Sequence, residues 1–72
     1  MDLSNKTVTV NRLGVNNMDR ISTCQVAVSE TIAEDITRQV GVFDLTFNKV
    51  YNGQSDPQLM PDIHAKLEAI PE

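Results

Sequence analysis

Residues able to do chemistry are few in this chain. Cys24 is the only cysteine and His64 the only histidine. One thiol and one imidazole make neither a nucleophile with a base nor a metal site, unless carboxylates or symmetry mates complete the set. Cys24 falls in the alternating phase of Val26 and Val28, the pattern of a small buried hydrophobe rather than a reactive thiol. His64 stands four residues before Glu68, where a solvated pair on a helix flank is the ordinary outcome. Glu30, Glu34 and Asp35 cluster in sequence. Paired carboxylates can do acid–base work, but a charged turn or helix face is more often solvated, or complements a basic patch on a partner. The three glycines form no phosphate loop, and no serine sits in a nucleophile elbow. The reading is a non-enzyme with no catalytic residue, metal or cofactor, and no small-molecule substrate is inferred. An active site would have to be assembled between subunits.

The elements that hold these residues follow from periodicity. Residues 6–13 alternate with β-branched types and read as a first strand, with Gly14 and Asn16-Asn17 making a tight turn. Residues 20–30 read as a second strand, with Ser22, Cys24, Val26 and Val28 on one face. Residues 40–51 read as a third, with Phe43, Leu45, Phe47 and Tyr51 on one face, interrupted by Lys49. If residues 21–33 and 36–48 form one hairpin turning at Glu34-Asp35, Val26 faces Phe43, Cys24 faces Leu45 and Ser22 faces Phe47. A competing reading makes 31–39 a short helix, with Thr31 as N-cap, a stripe of Ile32, Ile36 and Val40, and Gly41 as the stop. The density of β-branched residues in 30–40 favours the hairpin. Ser55 with Gln58 resembles a capping box, and Leu59, Ile63, Leu67 and Ile70 recur at helical spacing. Pro61 implies a kink or a start, and Asp62 with Lys66 a surface pair. The predicted fold is α+β: a three-stranded antiparallel β-meander with one C-terminal helix on one face, in a single domain over residues 1–72.

One helix covers one face of such a sheet. The other face carries Ala27, Val40 and Val42, with Val8 and Val10 joining it if the first hairpin turns tightly. A bulge at Gly14 would shift the register by one and send Val8 and Val10 to the helix side. That second face is apolar enough to pack against a copy of the chain or another protein.

Composition bounds the rest. At 72 residues the chain is at the low end of domain size, where stability is often completed by association. The net charge is −4, split as +1 over residues 1–29 and −5 over 30–72. Six scattered basic residues supply no phosphate-binding stripe, which disfavours nucleic acid. No stretch approaches the ~20 apolar residues of a membrane span, and no signal-peptide run opens the sequence. A single cysteine suits a reducing compartment. The expected place is therefore the cytoplasm or an intracellularly assembled complex.

Two functions compete for these features. The first is a structural or assembly subunit working through protein–protein contacts, as a homo-oligomer or part of a larger complex. A virion is one such complex, since small chains without chemistry are common among virus-encoded proteins, although no motif carries that similarity. The alternative is an acidic monomeric binding module or inhibitor, whose Glu34 and Asp35 turn blocks a basic site on a target. The candidate partner-binding residues are Val8, Val10, Ala27, Val40, Val42, Glu30, Glu34 and Asp35.

Overall fold

Alternation in the first half of the chain produces three long strands. The computed structural model, which describes residues 1–71, runs β1 (Lys6–Asn16), β2 (Ile21–Ala33), β3 (Ile36–Phe47) and then α1 (Leu59–Glu68). The strands form one antiparallel sheet in the order β1-β2-β3, so β1 and β3 are both edges. This is the predicted α+β meander with a C-terminal helix. The β2–β3 register pairs Val26 with Phe43, Cys24 with Leu45 and Ser22 with Phe47, as apolar matching across the hairpin requires.

One turn closes each hairpin. Asn16 closes the first, its Oδ1 accepting from the backbone N–H of both Met18 and Asp19 at 3.1 Å, an Asx turn that replaces ladder bonds at the strand end. The reversal therefore falls at 17–20, and β1 continues through Gly14 to Asn16 instead of stopping at residue 13. The second turn is at Glu34-Asp35, where Asp35 takes a left-handed φ of 64°, a region that Asp enters more readily than most residues. The short helix over 31–39 does not form. Those residues are the end of β2 and the start of β3, because cross-strand pairing of β-branched residues outcompetes one isolated helical turn.

The core lies between one sheet face and α1. Cys24, Val26, Val28, Leu45 and Phe47 from the strands meet Leu59, Ile63 and Leu67 from the helix, with Tyr51 from the connecting segment. Strand β3 ends at Phe47, so Tyr51 reaches the core from a loop rather than from the strand. Ser22 brings that loop back: fully buried, it donates its hydroxyl to the Lys49 carbonyl.

The helix starts differently from the capping-box expectation. Gln58 occupies the N-cap position without a side-chain bond. Asp56 instead accepts from the backbone N–H of Gln58 at 2.9 Å and of Asn52 at 3.0 Å, and these two bonds hold its carboxyl below the usual range. Pro61 lies in the first turn, where its missing donor would have had no intrahelical acceptor. Asp62 does not engage Lys66. It accepts from the Tyr51 hydroxyl and lies 3.9 Å from the Lys49 ammonium, while Lys66 sits 5.7 Å from the centre of the Phe47 ring. The helix ends at Glu68, leaving Ile70 half-buried just beyond it. There the Met1 amine donates to the carbonyls of Glu68 and Ile70, putting positive charge at a helix C-terminus.

Length decides how much sheet the helix covers. The ten residues of α1 span about 15 Å at 1.5 Å per residue. The thirteen of β2 span about 43 Å at 3.3 Å per residue. The far end of the β2–β3 hairpin therefore extends past the helix, and every residue from 31 to 40 is exposed. The molecule measures 44 × 23 × 18 Å, and its radius of gyration is 13.0 Å, above the ~11 Å of a compact chain of this length.

Candidate docking surface

Each cross-strand row places its residues on a common face, so the register assigns every candidate. Val8 pairs with Val28 and Val10 with Val26, which puts both valines on the helix side, half-buried against the core. They are not part of the open face. The cause is a bulge, as the alternative register required, but at Asn11 between Val10 and Arg12 rather than at Gly14. One extra residue there moves Leu13 opposite Cys24 and sends Arg12 to the open face.

Three successive rows form the middle of the open face. Thr9, Ala27 and Val42 form the first, Arg12, Gln25 and Asp44 the second, and Gly14, Thr23 and Thr46 the third. Gln25 joins two strands across the middle row, its amide donating to Asp44 Oδ1 at 3.4 Å. A shallow hollow of about 270 Å³ is lined by Arg12, Thr23, Gln25, Asp44 and Thr46 among others. Gly14 keeps this surface low, because a Cβ there would approach Thr23 Oγ1 at 3.2 Å.

Beyond the rows lies the projecting hairpin. Ile32 and Ile36 are each 56 % exposed, Val42 48 % and Val40 40 %. Val40 is the unpaired residue of a second bulge, between Gly41 and Gln39 of β3. Of the expected set, Ala27 and Val42 share the open face, and Val40 flanks it at the bulge. Ile32 and Ile36 were not singled out as candidates. Their signal, two isoleucines either side of an acidic turn, is masked in the sequence by the helical spacing of Ile32, Ile36 and Val40.

The acidic cluster is divided by the fold. Glu30 is held by Arg38 at 3.1 Å and lies 3.8 Å from Lys6, since the register sets Lys6, Glu30 and Arg38 in one row. Glu34 and Asp35 remain exposed at the tip. Their sequence proximity to Glu30 is not a spatial patch of three equivalent acids.

The chemistry-bearing residues lie elsewhere. Cys24 is 2 % exposed beneath the helix, and burial pushes its thiol up, away from the thiolate that a nucleophile needs. His64 is half-buried and lines a hollow with Met1, Asp2, Leu3, Ser4 and Glu68. Among the described residues, no group of three His, Cys, Asp or Glu side chains is placed to hold a metal ion. Tyr51 joins Asp62 and packs edge-on to Phe47 at 5.4 Å between ring centres, which ties the loop to the helix. No helix is long and apolar enough to cross a membrane among these residues. Compared with known proteins, the chain matches no family model, no curated protein and no solved structure.

Proposed function

We propose that this chain is a non-enzymatic assembly subunit that works through protein–protein contacts, in a homo-oligomer or as part of a larger complex. The observation that carries this reading is the uncovered apolar surface of the β2–β3 hairpin: Ile32, Ile36, Val40 and Val42 lie past or opposite the helix, between 40 % and 56 % exposed. Four large β-branched side chains are left exposed on one hairpin, and apolar side chains gathered on one element in this way support an interaction surface. The thin core supports the same reading, since a single ten-residue helix covers one end of one face.

The test is molar mass in solution by light scattering over a concentration series, for the native sequence and two variants. Val42→Lys should weaken self-association at least about tenfold, because it puts a charge into a desolvated contact. Glu34→Lys with Asp35→Lys should leave association within about threefold, because exposed charges are worth little. The acidic-module reading, to which the exposed tip carboxylates belong, requires the reverse: loss of partner binding on charge reversal, steeper at low salt.

A further inference from the structure

The open sheet face carries two charged side chains, Arg12 and Asp44, and they lie on opposite edge strands in the same cross-strand row. Gln25 stands between them and bonds Asp44 at 3.4 Å. Arg12 has no ion pair among the described residues. We propose that the open face docks onto the open face of a second copy of this chain about a two-fold axis parallel to β2, pairing Arg12 of each copy with Asp44 of the other. This deepens, and rests on, the reading of the chain as an assembly subunit.

The arrangement follows from symmetry. A two-fold running along β2, above its outward side, carries β1 of one copy over β3 of the other and keeps every row level. The middle row then sets arginine over aspartate twice, which is reciprocal, as a two-fold contact must be. The neighbouring rows suit the same operation. Thr9 meets Val42 of the second copy, and Gly14, which has no side chain, receives Thr46. Along the axis lie Thr23, Gln25 and Ala27 against their own copies, small or polar side chains that allow the usual sheet spacing of about 10 Å. The two Gln25 amides can complete each other's hydrogen bonds.

Charge complementarity points to a second copy, because Arg12 and Asp44 share one row on opposite edge strands and the face is its own complement about that axis. The chain carries −4 overall, so two copies repel in most orientations, yet this face has one charge of each sign. Edge-to-edge pairing is less suited, because each outer strand carries a bulge, at Asn11 in β1 and at Val40 in β3, and bulges interrupt strand addition.

The experiment is a charge-swap cycle read by sedimentation equilibrium or light scattering. Arg12→Glu and Asp44→Arg each place like charges opposite one another twice, and each should weaken dimerisation at least about tenfold. The double variant Arg12→Glu/Asp44→Arg restores opposite signs and should return to within about threefold of the native chain, the non-additivity expected of charges that pair across the contact. Both positions are exposed, and circular dichroism checks that each variant is folded. Should a reversal disturb folding, Arg12→Gln and Asp44→Asn measure the same coupling. A native chain that stays monomeric up to about 1 mM overturns this dimer and the homo-oligomeric form of the assembly reading together. A native chain that assembles, but whose single reversals change nothing or whose double variant fails to recover, overturns this dimer alone.

Discussion

Tyr51 shows how one side chain ties a loop, a helix and a pH dependence together. Its hydroxyl donates to Asp62 and its ring packs on Phe47. Burial first, and then the bond to Asp62 and that carboxylate's charge, hold its ionisation well above the ordinary tyrosine range. The folded chain therefore keeps its proton to higher pH than the unfolded chain, whose tyrosine ionises near pH 10. Below that value both states are protonated and the contribution is fully present. As pH rises above about 10, the unfolded state loses its proton first and stability falls. Urea unfolding across the alkaline range should show this decline in the native chain and a flatter profile in Tyr51→Phe. At neutral pH the same variant should lose about 1 kcal/mol, the net worth of one hydrogen bond. The bond between Tyr51 and Asp62 has no signature in the sequence. Tyr51 was expected in the core by counting along a strand, and it arrives there by another route, through Ser22 and the Lys49 carbonyl. Asp62 was matched to Lys66 by helical spacing alone, which cannot register a tyrosine brought in from eleven residues earlier.

At the level of elements, the long-period signals survived and the boundaries did not. The β2–β3 pairing was legible because a two-residue repeat of apolar side chains admits one register in which like meets like, and the structure has that register. Helix α1 was legible from Leu59, Ile63 and Leu67, all of which are fully buried. Its cap was not, because Asp56 and Ser55 are both competent acceptors and the sequence does not say which one the loop will aim at the helix. The placement of Val8 and Val10 turned on a single bulge, and Asn11, unlike Gly14, carries no conspicuous mark of irregular backbone. Ile63 is where the helix is most exposed to test, since it is the middle of the three buried positions. Ile63→Val should cost about 0.5–1.5 kcal/mol and Ile63→Ala about 2–5 kcal/mol, measured as shifts in the urea midpoint at constant slope. For a domain of this size the larger loss approaches the whole folding free energy. Ile63→Ala should therefore be substantially unfolded at room temperature.

Across the whole molecule, cohesion is concentrated at one end. The core gathers where α1 lies on the sheet, while residues 31–40 are exposed and stabilised by little beyond the pairing of two strands. Local opening free energy scales with such burial, from near zero at exposed ends to the full unfolding free energy in the core. Amide hydrogen exchange should therefore be graded along the length of β2, slowest around Cys24 to Val28 and fastest toward Ile32, even though these residues belong to one unbroken strand. A hairpin tip that opens and closes independently of the domain can adjust its shape on contact without cost to the remainder. The uncovered length of strand thus gives the molecule one rigid end that keeps its form and one compliant end that can take up the contour of whatever it meets.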